Sequence, residues 1–386
     1  MTAFRVAFAG GGTGGHIYPA LAIDDAIRAQ YDAAHYEPRF FGNRDGLEAR
    51  LVTTMPLAFV PSAALQRKLS LGTLRTLWRN ALGVAVALAG LARFRPLMVI
   101  ATGGYVCFPV VVAARLLRFA RVLRCGIALL EINVRPGLTN RLLAPLVDEV
   151  WTTYDDSARF FGRKARRTGS PVRASLTRPT HPARARMALD LAPERTTIVA
   201  MGGSQGARSI NEAVAALVTR RTLGDDRQVL HITGERDFAY MQAEERDPGA
   251  NHVHLTAYLA DPANAYAAAD VVIARAGAST LAELAATGTP AVLVPYPHAA
   301  DDHQAHNAAV FVERGAAVVI ADADVSGDRL WWTLDAVLKP ATLQAMRAAA
   351  LSLAAPDAGR AIVGRIESLI PARVVENAGA NGAARD

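Results

Sequence analysis

Twelve short apolar runs, each four to six residues long, recur along this chain and leave few folds open to it. The first six are Phe4–Ala9, 38–41, 57–60, 97–101, 126–130 and 149–153; the second six are 196–201, 228–233, 253–256, 271–274, 291–294 and 317–320. Between them lie segments whose apolar residues return at helical spacing. Short apolar runs bounded by glycine and proline, alternating with such helices, are the pattern of parallel strands covered on both faces. The expected fold is therefore α/β, with two tandem Rossmann-like doubly wound domains facing a cleft. At 386 residues the chain also exceeds one ordinary core. The expected join is the basic, Gly/Pro-punctuated stretch Gly162-Arg-Lys-Ala-Arg-Arg-Thr-Gly-Ser-Pro171, which divides the chain into 1–165 and 166–371. Residues 372–386 lack apolar period and read as a disordered tail.

The first run leads into a dense glycine cluster, with five glycines in the six positions from Gly10 to Gly15, just before His16. Bare backbone lets a ligand approach closely. The amides of such a turn, with the positive end of the following helix, favour an anion. Pro19 is expected in the first turn of that helix. Gly10-x-Gly12-x-x-Gly15 also fits the dinucleotide fingerprint, and Arg44 stands where a ribose-binding acid would be, so an NADP-dependent oxidoreductase is one alternative. A turn serving only strand-helix packing is another.

The same strand, turn and helix return in the second series. Met201-Gly-Gly-Ser-Gln-Gly-Ala-Arg208 offers amides and the Ser204 hydroxyl to a phosphate. In Ala274-Arg-Ala-Gly-Ala-Ser-Thr-Leu-Ala-Glu283, Thr280 and Glu283 stand at capping-box spacing, so Glu283 either caps the helix or accepts the hydroxyls of a ribose. His303 and His306 raise a metal site, but two histidines at helical spacing are common, and hydrogen bonding of a polyhydroxylated ligand by Gln304 is preferred. In the first series, Thr102-Gly-Gly-Tyr105 and the segment from Leu130 to Asn140 each follow a strand. Glu131 and Asn133 thereby come to the same edge as His16. A histidine near a carboxylate is a general-base arrangement, with packing or helix capping as the structural alternative.

A net charge of +7 points to an anionic partner. No nucleic-acid motif and no basic stripe with interleaved aromatics is present, so nucleic acid is not expected. Leu65 to Arg79 mixes Leu and Trp with cations and suits an anionic membrane surface or a bland amphipathic helix. Ala81–Ala92 is shorter than the roughly 20 residues that cross a bilayer. The opening run is too brief for a signal peptide, and the chain is expected to stay in the cytoplasm. Cys107 and Cys125 have no CxxC spacing and read as buried thiols.

Taken in order, the motifs ending at His16, Tyr105, Asn140, Arg173, Arg208 and Glu283 resemble one family over residues from about 4 to about 340. They are Gly-Gly-Thr-Gly-Gly-His, Gly-Gly-Tyr, Gly-Leu-Thr-Asn, Thr-Gly-x-Pro-Val-Arg, Gly-Gly-Ser-Gln-Gly-Ala-Arg and Arg-x-Gly-Ala-x-Thr-x-x-Glu. The family is that of the lipid II-forming N-acetylglucosaminyltransferases of peptidoglycan synthesis. The resemblance implies a glycosyltransferase B fold and UDP-N-acetylglucosamine as donor. It implies inverting transfer to the muramyl sugar of an undecaprenyl-pyrophosphoryl acceptor, lipid I, with neither metal nor other cofactor in the site. It further implies a peripheral place on the cytoplasmic face of the plasma membrane.

By matching position, the resemblance assigns backbone contacts with uracil to Leu259 and the ribose to Glu283. The helix start beneath the diphosphate is Ala278, Ser279, Thr280, Leu281 and Ala282. Arg173 and Ser204 assist the phosphates, Asn133 and Gln304 hold the amino sugar, and Thr13, Gly14 and Gly15 complete the cleft. His16 is the candidate base, with Glu131 as its orienter or alternative. Leu130-Glu131-Ile132-Asn133 departs from the family's usual His-Glu-Gln-Asn, and His303-Gln304 from its paired glutamines. These departures bear on acceptor contacts. The rival readings are a related glycosyltransferase acting on a different glycolipid or aglycone, and a non-catalytic sugar-nucleotide-binding protein.

Overall fold

The computed structural model describes residues 4–370 except 65–70, 179, 204–205, 221–222 and 245–251, without the side chains of 71–73 and 220. It forms two compact units, one of Met1–Arg173 with Asp357–Asp386 and the other of Ala174–Pro356. The expected tail, 372–386, lies outside the described residues.

The first unit is built on seven strands: β1 (Phe4–Ala9), β2 (Tyr36–Gly42), β3 (Leu57–Phe59), β4 (Met98–Ala101), β5 (Gly126–Glu131), β6 (Glu149–Thr152) and β7 (Ala165–Arg167). Their order is β3-β2-β1-β4-β5-β6-β7, and every pairing is parallel. Val6 lies beside Pro38 on one side and Met98 on the other. Alternate residues serve opposite faces. Ala7, Ala9, Val99, Ala101, Ile127 and Leu129 pack with Leu91, Val110 and Val111 in one buried cluster. At the start of β1, the ring of Phe4 sits 5.0 Å from that of Tyr31 and 5.7 Å from that of Tyr36.

β7 falls inside the stretch expected to be the join. Its three residues include Arg166 and Arg167, so no apolar run announces it. The last helix, Ala358–Leu369, also departs from the expected division, because it packs with the first unit. Its Ile362, Val363 and Ile366 are buried. Arg365 donates through Nε to Glu149 Oε2 at 3.0 Å and through Nη2 to Glu149 Oε1, while Tyr31 Oη donates to Glu367 at 2.6 Å. Trp151 Nε1 adds a third donor to Glu149, at 3.0 Å.

The second unit has β8 (Thr196–Met201), β9 (Arg227–Ile232), β10 (Val253–Thr256), β11 (Val271–Ala274), β12 (Ala291–Leu293) and β13 (Ala317–Val319). They run in the order β10-β9-β8-β11-β12-β13, again all parallel. Ile198, Ala200, Val229, Val271, Ile273 and Val292 form a core with Ile210, Val214 and Leu217 of the helix Arg208–Arg220. The doubly wound α/β class expected from the sequence holds for both units.

Strand order reverses between β1 and β4 in the first sheet and between β8 and β11 in the second. In open α/β sheets, ligands bind outside the carboxyl ends of the strands at such reversals. Each unit therefore presents one edge at which to look for function. Leu71–Phe94 forms a single helix of 24 residues, and among the described residues no helix is long and apolar enough to cross a membrane.

Candidate active site

At the reversal of the first sheet, β1 ends in the glycine turn and β4 in Thr102-Gly103-Gly104. The first helix runs Gly14–Gln30, so it opens at the glycines and Pro19 lies inside it, not in its first turn. Two glycines are poor helix starters, and the turn is braced from β4. Thr102 Oγ1 donates to the His16 carbonyl at 2.6 Å. His16 Nδ1 sits 3.2 Å from the Thr102 carbonyl. A carbonyl only accepts, so Nδ1 carries the proton in this contact, and in the neutral imidazole the lone pair falls on Nε2.

Gly103 and Gly104 have φ of +110° and +83°, and a Cβ on Gly103 would lie 2.4 Å from His16 Nδ1. Only glycine gives both this backbone and room for the imidazole. Thr13 is the N-cap of the helix and makes no side-chain cap. Arg173 lies with its guanidinium carbon 4.3 Å from the Tyr18 ring centroid, two residues beyond His16.

Glu131, at the end of β5, is 2% exposed. Its Oε1 accepts from the Asn133 amide at 3.0 Å and from Asn133 Nδ2 at 2.9 Å. Its Oε2 accepts from the Gly137 amide at 3.1 Å and from Asn140 Nδ2 at 2.9 Å. Burial pushes its pKa up against these hydrogen bonds. Both oxygens of the carboxylate expected to orient His16 thus accept from donors of its own loop, while His16 Nδ1 meets the Thr102 carbonyl. Asn133 is half-buried and tied to Glu131 through its backbone amide and Nδ2. Leu130 and Ile132 are buried, so the two apolar departures serve packing.

At the reversal of the second sheet, the helix Ala278–Thr287 starts immediately beyond β11, with Gly277 as N-cap and no side-chain cap. Thr280 is the third residue of this helix, which removes the capping-box reading of Glu283. Glu283 is 8% exposed, and its Oε2 accepts from Tyr266 Oη at 2.8 Å. Ala278, Ser279, Thr280, Leu281 and Ala282 form the first turn, whose amides and dipole suit an anion.

Arg275 braces this turn. It donates to Asp322 at 2.5 Å, to Ser209 Oγ at 2.9 Å and to the Val294 carbonyl at 3.0 Å. Burial alone would raise the Asp322 pKa; hydrogen bonds from Ser209 and Arg275 outweigh it and hold the carboxyl below its ordinary value. Leu259 follows β10 in a half-buried loop. Gln304, in the helix His303–Glu313, accepts from the Tyr296 amide at 2.9 Å, which leaves its amide nitrogen to donate. Ser204 lies outside the described residues.

His303 Nδ1 bonds the Ala300 carbonyl at 2.8 Å, and among the described residues no three His, Cys, Asp or Glu are grouped to hold a metal. Burial pushes the Cys107 thiol up to about 12, as fits a buried thiol. Sequence reasoning missed Thr102, Tyr266, Arg275 and Asp322 as supports. Arg275 and Thr102 carried a signal, Arg275 as the first residue of a motif and Thr102 as the first of the segment Thr102-Gly-Gly-Tyr105.

The N-terminal domain model of glycosyltransferase family 28 matches residues 6–152, and its C-terminal domain model matches residues 197–361. The chain is 37% identical over 379 residues to the UDP-N-acetylglucosamine–N-acetylmuramyl-(pentapeptide) pyrophosphoryl-undecaprenol N-acetylglucosamine transferase of Desulforamulus reducens, covering 95% of this chain and 99% of that protein. It is 40% identical over 370 residues to the protein of the same name from Moorella thermoacetica, covering 93% and 97%. Among solved structures, Acinetobacter baumannii MurG superposes with a TM-score of 0.70 at 25% identity, covering 95% of this chain and 99% of that one.

Proposed function

From the premise that the chain belongs to glycosyltransferase family 28, we propose how its residues carry out a transfer of N-acetylglucosamine from UDP-N-acetylglucosamine to lipid I. The chain is a UDP-N-acetylglucosamine-dependent glycosyltransferase of the lipid II-forming kind. A different acceptor and an NADP-dependent oxidoreductase are not favoured. Arg44, offered for a 2′-phosphate, instead lies with its guanidinium carbon 5.3 Å from the Phe59 ring centroid.

The observation that carries the assignment of roles is the helix start at Ala278, whose N-cap is a glycine with no side chain to offer the amides, with Glu283 five residues on at the same sheet reversal. The diphosphate rests on the amides of Ala278 to Ala282, Glu283 accepts ribose hydroxyls, and Leu259 meets uracil through its backbone. Gln304 donates to the amino sugar, and Asn133 and Arg173 serve sugar and phosphate from the first unit. An acceptor hydroxyl attacks the anomeric carbon opposite the leaving UDP, with inversion. His16 Nε2 takes its proton, while the helix-end amides stabilise the charge gathering on the diphosphate. Thr13, Gly14 and Gly15 face the reacting sugar. Glu131 shapes the loop that carries Asn133.

The enzyme works as a peripheral protein on the cytoplasmic face of the plasma membrane. Two features support this. The first unit carries 27 Lys and Arg against 15 Asp and Glu, a net +12, whereas the second carries 15 against 20, a net −5. Along Leu71–Phe94, Leu74, Leu77, Trp78 and Leu82 are exposed beside Arg75. Analysis of the products formed from UDP-N-acetylglucosamine and a lipid I analogue tests the reading. A disaccharide-lipid product is expected; turnover of an unrelated acceptor only would overturn it.

A further inference from the structure

The glycine turn before His16 has a buried carboxylate beneath it that the transfer does not use. Glu48 opens the short helix Glu48–Leu51 beyond β2 and is 0% exposed. Its Oε1 accepts from the Asn43 amide at 2.8 Å, and its Oε2 faces the Gly12 amide at 3.5 Å, the long limit of a hydrogen bond. Three glycines make room for it. A Cβ on Gly11 would stand 2.3 Å from Glu48 Oε1, one on Gly46 2.3 Å from Oε2, and one on Gly42 2.5 Å from Cγ.

A buried carboxyl with no ion-pair partner among the described residues costs free energy, so its setting needs a reason. The setting turns the Gly12 amide inward, away from any ligand on the turn. It also puts acceptor oxygens below a segment whose amides would otherwise suit an anion. Gly12 itself has a φ of +86°, and its position is closed on the other side by the Tyr105 ring, 2.9 Å from where a Cβ would stand. The stretch Gly11–Gly12 is therefore gripped between Glu48 and Tyr105, one residue before the cap of the helix that carries His16.

We propose that Glu48 is a positioning residue, which fixes the conformation of Gly11 and Gly12 and through them the placement of His16 for transfer. The proposal rests on the reading of His16 as base, and the experiment separates the two. Glu48→Gln keeps the shape of the side chain but sets an amide donor against one of the two backbone donors. Turnover, KM for UDP-N-acetylglucosamine, the thermal midpoint and the imidazole Cε1 resonance of His16 are measured on the full chain, that resonance being assigned by its absence in His16→Asn.

Expected for Glu48→Gln are a kcat at least tenfold lower, a donor KM within twofold of the parent, a midpoint within about 3 °C, and a displaced His16 resonance with the other histidines unmoved. A kcat within twofold of the parent, or a fall in kcat with the His16 resonance in place, overturns the proposal. If Glu48→Gln does not fold, Gly46→Ala, which displaces the carboxylate without removing it, takes its place with the same expectations. Unfolding of both makes Glu48 a structural residue and also overturns the proposal. Full turnover by His16→Asn ends the reading of His16 as base, while a displaced His16 resonance and low kcat in Glu48→Gln still support positioning of the turn.

Discussion

His16 and Glu131 were placed at one sheet edge by sequence alone, yet the partner of neither was legible. His16 Nδ1 meets the Thr102 carbonyl, and a backbone carbonyl has no letter of its own. His16→Ala is expected to lower turnover at least tenfold while UDP affinity, read by calorimetric titration, stays within twofold; unchanged turnover removes His16 as base. Glu131 makes a second prediction, about stability. Burial raises its pKa above the ordinary 4.5 in spite of four donors. A group raised on folding contributes fully below its unfolded value and loses that contribution as pH rises through its folded value. The stability of the parent relative to Glu131→Gln is therefore expected to be greatest below about pH 4.5 and to shrink towards neutrality, as urea midpoints at several pH values report. A margin that widens with pH would mean that the four hydrogen bonds outweigh desolvation. Glu48 was invisible for a related reason, since what marks it is the space left by Gly42, Gly46 and the distant Gly11, together with two backbone amides.

At the scale of elements, all twelve apolar runs are strands; the inner ones are apolar at nearly every position because they are buried on both faces, while the edge strands β3, β10 and β13 are only partly buried. The thirteenth, β7, is an edge strand of three residues with two arginines, and nothing in its composition separates it from a basic linker. Helix starts were less legible than strands. Thr280 and Pro19 both looked like openings, but the helices begin earlier, at residues that contribute bare backbone, Ala278 and Gly14. That choice of residue carries the functional argument. Gly277 has φ −66° and ψ 138°, ordinary for any N-cap, and a Cβ there meets nothing closer than Thr280 Oγ1 at 3.8 Å. Aspartate at this position would accept from the first-turn amides, a cap worth a few tenths of a kcal/mol over glycine. Gly277→Asp is therefore expected to leave the thermal midpoint of the free protein unchanged or slightly raised. The same carboxylate would compete with a diphosphate for the amides and repel it, so the donor KM is expected to rise at least tenfold. A raised midpoint with an unaltered KM would place the diphosphate elsewhere.

At the scale of the whole molecule, the division of the chain was legible only as far as local signals reach. Arg365 and Glu149 meet across 216 positions, and no neighbour of either announces that the last helix returns to the first unit. Net charge is a different matter, because it survives any rearrangement within a unit. The first unit's +12 against the second's −5 means that an anionic surface attracts one part of the enzyme and repels the other. Each Lys or Arg near such a surface contributes about 1 kcal/mol, screened by salt. Charge alone would hold the protein loosely and in many orientations. Trp78, 73% exposed, and Leu74, 65% exposed, add apolar area on one helix, and that area falls on the cationic unit. Cosedimentation with anionic vesicles is therefore expected at low salt and to weaken as salt is raised, with binding to neutral vesicles much poorer. Trp78→Ser combined with Leu74→Ser is expected to lower the bound fraction at least fivefold at fixed salt, without altering turnover of a short-chain, water-soluble acceptor. Loss of that turnover would mean that the pair supports the fold. Vesicle binding that ignores salt, or that survives the double substitution, would leave the helix a plain amphipathic surface and move the membrane contact elsewhere on the unit.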